Sequence, residues 1–266
     1  MNIIDIEPWR LAMVYFLLAI PLGVILWQRI PILGKSLLAV ARMTLQLVFV
    51  GFYLQFIFDL NNPLVTGAWI VIMIAVADVS IARSCSLRLE RLAGALFLAL
   101  LIGTVIPLVF FVFFVLQVQT ALNAQYVIPI SGMILGNCLR ADIIGIRTFY
   151  ESLKKSEKVY QLSLAQGAGM REALSPFIRD ACQAALAPTV ATISTIGLVS
   201  LPGMMTGVIL GGGNPMTAIK YQIAIMIAIF TGTALTVILA IHLTVIKNFT
   251  PFGTLDRRLF QASVER

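Results

Sequence analysis

Charge is what this sequence has least of. Only 12% of its 266 residues are Asp, Glu, Lys or Arg, 59% are hydrophobic, and the mean hydropathy is +0.96. A water-soluble domain carries about 25% charged residues, so an ordinary soluble protein is excluded. Disorder is excluded too, because so apolar a chain has ample surface to bury. Histidine is nearly missing. The single His242 lies in an apolar run, which rules out a self-contained metal enzyme of the usual kind and any Ser/His/acid arrangement. The cysteines Cys85, Cys138 and Cys182 are too few for a disulfide framework and lack metal-ligand spacing. What remains in quantity is long apolar runs, which describe an all-α integral membrane protein.

Seven runs are long enough for a crossing at about 20 residues each: 9–27, 37–58, 64–82, 94–118, 125–146, 182–201 and 217–246. They are continuous rather than alternating, so helices are expected and a barrel is not. Trp9 and Trp27 bracket the first run, Trp69 opens the third and Tyr126 the fifth. The first run follows Asp5 and Glu7 and has no small-residue cleavage site after it, so it reads as a retained helix. Lys and Arg cluster in 28–36, 83–93, 140–181 and the tail, while 59–63 and 119–124 have none. By the positive-inside rule the N-terminus is outside and the C-terminus cytoplasmic, which an odd number of crossings satisfies. Topology and anionic lipid then account for the net charge of +7, with no need for nucleic acid. The chain reads as one transmembrane domain over 1–266. Within it, 200–216 is uncharged and Gly/Pro-rich, and is expected to be a kinked continuation or a re-entrant half-helix. Gly203, Gly207 and Gly211 recur every four residues there, the spacing of a helix-packing face.

The one substantial cytoplasmic segment is 147–181. The fifth helix is expected to run on through Glu151, Lys154, Lys155 and Lys158, stop at the glycines of 166–170, and resume as a short helix from Arg171. Its length marks this elbow as a docking element rather than a plain loop.

Ionisable and polar groups inside crossings cost about 2.5–3.5 kcal/mol at mid-membrane for a charge, so they normally face protein or a water-filled path. Arg42 and Gln46 share a helix face, and Asp78 lies on the next helix. Arg42 and Asp78 read either as an ion pair or as residues snorkelling to the cytoplasmic side. Asn137 and Arg140 lie three apart, followed by Asp142. Thr189, Thr192 and Thr195 form a stripe that either lines a path or joins helices by hydrogen bonds. Gly132 and Gly136 make a G-x-x-x-G, the spacing of close helix contact. Three motifs fail. Gly34-Lys35-Ser36 lacks the earlier Gly of a phosphate-binding loop, the cysteines lack metal spacing, and Asn248-Phe249-Thr250 lies on the cytoplasmic side. No residue qualifies as catalytic, and no internal repeat of the secondary-transporter kind is visible.

Three segments carry a family resemblance: Val127–Asn137 (VIPISGMILGN), Ile178–Thr189 (IRDACQAALAPT) and Thr195–Met205 (TIGLVSLPGMM). They resemble the FetB-type (UPF0014) permease family, the membrane subunits of ATP-binding-cassette transporters, with bacterial iron exporters and a plant branch tied to aluminium tolerance. The likeness runs from about Arg42 through Leu45-Gln46-Leu47 to Lys220-Tyr221-Gln222. It implies a separate cytoplasmic ATPase that binds the ATP and Mg, with no cofactor on this chain, and two copies of this chain in a cell-membrane homodimer. It further implies that Leu162, Ser163, Leu164, Gly167, Ala168, Gly169 and Glu172 form the coupling element. Arg171 sits on the same elbow.

Iron or another metal, exported, is the substrate the bacterial branch implies. The polar groups available to a path are Arg42, Gln46, Asp78, Asn137, Thr192 and Thr195, with Met204 and Met205 as soft ligands or as packing; no metal ligand set can be named. An organic or sugar-containing solute, and an ATPase-independent channel or carrier, stand as alternatives.

Overall fold

Where the sequence shows apolar runs, the computed structural model shows helices. It describes residues 6–60, 62–85, 89–116, 123–250 and 253–254. The chain opens with α1 (Pro8–Val14), a 3-10 turn (Tyr15–Leu18) and α2 (Ala19–Trp27), which together form one span, and continues with α3 (Leu33–Leu60), α4 (Pro63–Ser84) and α5 (Leu89–Phe110). A π turn (Phe111–Val115) prolongs α5, and α6 (Ala124–Lys155), α7 (Glu157–Ala165), α8 (Met170–Thr195), α9 (Gly203–Leu210) and α10 (Pro215–Asn248) follow. Among the described residues, six spans are long and apolar enough to cross a membrane: Pro8–Trp27, Leu33–Leu60, Pro63–Ser84, Leu92–Val115, Ala124–Lys155 and Pro215–Asn248. The basic-poor loop 119–124 lies mostly outside the described residues.

Asparagine sets where several helices begin. Asn62, Asn123 and Asn214 accept backbone N–H bonds from Leu64 (2.9 Å), Gln125 (3.0 Å) and Met216 (2.8 Å) at the starts of α4, α6 and α10. Proline follows Asn62 and Asn214, at the first helical position where its missing N–H costs nothing.

The centre of the bundle is α10, packed against α5, α6, α8 and α9, with α4 on the far side of α5 and α6. Its closest approach is to α5. A methyl group on Gly103 would fall 3.0 Å from the Gly232 carbonyl oxygen, and one on Gly232 would fall 2.8 Å from the Gly103 oxygen. Pro107 lies four residues after Gly103 and has no N–H to bond that oxygen, so the helix face there is both smooth and unsheathed. The two glycine motifs expected to pack do not do so within this chain. Nothing lies within 4 Å of a methyl placed on Gly136, Gly203 or Gly207, and one on Gly132 would meet only the end of Met73. Close packing went instead to Gly103 and Gly232, where a second helix presents a gap of matching size.

The first spans stand apart. No described residue of α1 or α2 is buried, and α3 buries only Ile57. The sixth expected crossing, 182–201, also differs from the expectation. Its helix starts at Met170, directly out of the elbow, so there is no separate short helix, and it ends at Thr195. Gly145 sits against Ala185 and Val237, which sets α6, α8 and α10 level at that point. At 1.5 Å per residue, α8 then rises only about 15 Å to Thr195, whereas α6 and α10 run on about 31 and 33 Å. A turn through Gly197 (φ 85°), whose N–H donates to Ser200 O at 2.9 Å, stops α8 partway. Pro202 begins the eight-residue α9, and Gly211–Gly213 separates it from α10. The segment 200–216 is therefore broken at both ends rather than a kinked continuation.

Candidate functional site

Where α8 stops, a cavity of about 280 Å³ opens between four helices. α6 contributes Asn137 and Arg140, α8 contributes Thr189 and Thr192, α9 contributes Met204 and α10 contributes Gln222. A broken helix over a largely apolar cavity with a few polar groups in its wall satisfies the rule that irregular backbone at membrane depth must line water or protein.

The cavity divides the residues expected along a path. Asn137, Thr192 and Met204 line it; Arg42, Gln46, Asp78, Thr195 and Met205 do not. Arg42 and Gln46 are exposed on α3. Asp78 is buried on α4 and the expected pair with Arg42 is not formed; the cation whose field reaches Asp78 is Lys247 on α10. Asp142 is fully buried beside Cys138 and Thr236, two residues from Arg140 and so about 200° round the helix from it. The threonine stripe turns inward on itself. Thr192 and Thr195 donate to Pro188 O (2.9 Å) and Ala191 O (3.0 Å) of their own helix, and neither hydroxyl bonds across helices.

Two lining residues carry more than the sequence suggested. Arg140 makes no hydrogen bond or ion pair with any described residue and is exposed into the open side. Gln222 is 7% exposed and its Oε1 has no partner. Sequence gave Arg140 only as a neighbour of Asn137 and Asp142, and Gln222 only as part of a resemblance. A signal existed, namely a charge and an amide within helices that are long and mostly apolar.

The second site is the elbow. The 32 residues of α6 span about 48 Å, well beyond a hydrocarbon core of about 30 Å, so its end projects into water. α7 then carries Leu162, Ser163 and Leu164. The turn holds Gly167, Ala168 and Gly169, and the first turn of α8 holds Arg171 and Glu172. Gly167 has φ 92°, a left-handed conformation that ends α7 sharply, and Ala168 N–H donates to Ser163 O at 3.1 Å. A hollow of about 480 Å³ lies at the bend, lined by Ser163, Gln166, Gly167, Ala168, Glu172, Ala173 and Pro176. Val159 and Leu162 are exposed beside it. The opposite side of α7 is fastened. The Tyr160 hydroxyl donates to Gly253 O at 2.7 Å, its ring meets Phe249 edge to face, and Leu164 packs on Gly253. Burial pushes the Tyr160 phenol above its ordinary value. At the C-terminal end of α4, burial raises the Cys85 thiol to about 11, partly offset by Arg147.

Six membrane-length apolar helices, a further helix that stops over a cavity, and a helical elbow beyond α6 define a multi-pass helical membrane protein. The chain belongs to the UPF0014 family, described as an uncharacterised protein family, whose model matches residues 8–249. It is 34% identical to a UPF0014 membrane protein of Synechocystis, over 88% of this chain and 90% of that one. It is 31% identical to the probable iron export permease protein FetB of Escherichia coli, over 94% and 95%. It is also 31% identical to the protein ALUMINUM SENSITIVE 3 of Arabidopsis thaliana, over 94% and 90%. No solved structure matches.

Proposed function

We propose that this chain is the membrane-spanning permease subunit of an ATP-binding-cassette transporter in the cell membrane, working as a homodimer and exporting iron or another metal ion. The observation that carries this is the elbow. Among the described residues it is a helix–turn–helix held outside the bilayer, with exposed Val159 and Leu162 and a hollow beside them, and it belongs to a chain whose relative is named a permease. A partner ATPase supplies the ATP and Mg sites. Closure of two ATPases drives two elbows together, and because α8 runs unbroken from the glycine turn to the cavity, its tilt alternates access to it. α8 with the broken segment after it counts as one crossing, giving seven, with the N-terminus outside and the C-terminus cytoplasmic.

The test is co-expression with an ABC ATPase subunit encoded beside it, purification of the complex and ATP-dependent ferrous iron movement in vesicles. Gly167→Pro, which forces φ near −65° where 92° is needed, is expected to insert normally but lose ATPase stimulation and transport. Full transport by that variant sinks the coupling assignment.

A further inference from the structure

The cavity at the break of α8 has an unusual charge balance for a metal path. Its lining contains one ionised side chain, Arg140, and no Asp, Glu, His or Cys. The carboxylates of the bundle interior, Asp78 and Asp142, are buried elsewhere. Arg140 has no counter-charge among the described residues, and the nearest acid in sequence, Asp142, faces the other side of α6. A guanidinium at membrane depth normally finds a partner or lines a functional path. Its planar fork matches the paired oxygens of carboxylate or phosphate.

The other polar groups fit the same ligand. Gln222 is more than nine-tenths buried, and one atom of its amide lacks a partner. Its amide also lines the cavity wall, where the NH2 end is a donor. Asn137 Nδ2 donates to Met133 O at 2.8 Å, which holds its side chain in place at the wall. Size agrees as well. About 280 Å³ is close to the lower limit of small-molecule pockets and far larger than a dehydrated ion needs. A bare hard cation asks for several oxygen ligands with negative charge. Here it would meet a positive one.

We propose that the cavity binds an oxyanion-bearing solute, whose carboxylate or phosphate oxygens pair with Arg140 and take a second donor from Gln222. Resting on the permease reading above, this makes the transported metal an anionic complex, with Arg140 gripping its ligand rather than the metal. Arg140 is then a specificity residue.

The test uses the purified full-length permease in a phospholipid-free detergent, without its ATPase, so that its outcome is independent of the coupling assignment. Binding of citrate, ferric citrate, pyrophosphate and ferrous ion alone is measured by calorimetry on wild type, Arg140→Gln and Arg140→Lys. Circular dichroism and gel filtration check that each variant is folded. At least one oxyanion is expected to bind, at least tenfold more weakly to Arg140→Gln and to an intermediate degree to Arg140→Lys, with no binding of ferrous ion alone. A parallel titration with phosphatidylglycerol separates a solute from a lipid headgroup. Binding of the lipid but of neither soluble oxyanion overturns the assignment. So does ferrous binding that survives or strengthens in Arg140→Gln, or no binding of any oxyanion to folded wild type.

Discussion

Gly232→Ala tests the packing that positions the cavity. The added methyl would sit 2.8 Å from Gly103 O, 2.9 Å from Ile134 Cγ2 and 3.3 Å from Cys138 Sγ. The first of these is backbone, and Ile134 and Cys138 are fully buried, so no neighbour is free to swing away. Such overpacking costs about 1–3 kcal/mol, while replacing a helical glycine by alanine returns about 1 kcal/mol. Gly136→Ala is the control, because nothing lies within 4 Å of its new methyl. Both variants gain the same helix propensity, so their difference isolates the clash. Gly232→Ala should be less stable than Gly136→Ala by about 1–3 kcal/mol. The assay is reversible unfolding in mixed micelles, followed by circular dichroism at one chain per micelle to remove any contact between copies. Equal stabilities, or the reverse order, would refute the α5–α10 junction as the tight point of the bundle.

Tyr160→Phe removes the 2.7 Å bond to Gly253 O and leaves a buried carbonyl unpaired, a loss of about 1–3 kcal/mol. Amide exchange across α7 should accelerate about 5- to 100-fold in that variant; unchanged exchange means the fastening carries no energy. Because the folded-state value of Tyr160 is the higher one, its contribution is complete below about pH 10 and declines as pH rises through the raised value. At pH 8, Cys85, with its thiol at about 11, should react with maleimide roughly two orders of magnitude more slowly than an ordinary thiol, and accelerate as pH approaches that value. Fast labelling at pH 8 would show that the C-terminal end of α4 is open to water.

Much was legible from the chain alone because the bilayer leaves a segment few choices. Apolar length sets the spans: four of the seven expected runs fall on single long helices, the fourth run on α5 and the π turn with its last two residues outside the described ones, and the first on α1, the 3-10 turn and α2. The elbow was legible in part. The turn lies at Gly167 and Gly169 as expected, but the fifth helix does not run on to it: α6 ends at Lys155 and a separate α7 (Glu157–Ala165) carries Lys158 and leads to the turn. The glycine motifs were not legible. Spacing reports that a face is smooth, but whether another helix lies against it depends on the partner, and the partners of Gly103 and Gly232 are 129 residues apart in sequence.

The sequence by itself therefore determined solvent and the position of most helices, which follow from local composition and period. Only the tertiary structure decided which polar residues meet. Asn137, Arg140, Thr192, Met204 and Gln222 come from four helices and converge because α8 stops about halfway, while Asp78, Asp142 and Arg42 turn to other faces. Helix rotation sets that outcome, since two residues along a helix is more than half a turn around it. It is why the carboxylates Asp78 and Asp142 lie outside the cavity and an arginine lies in it.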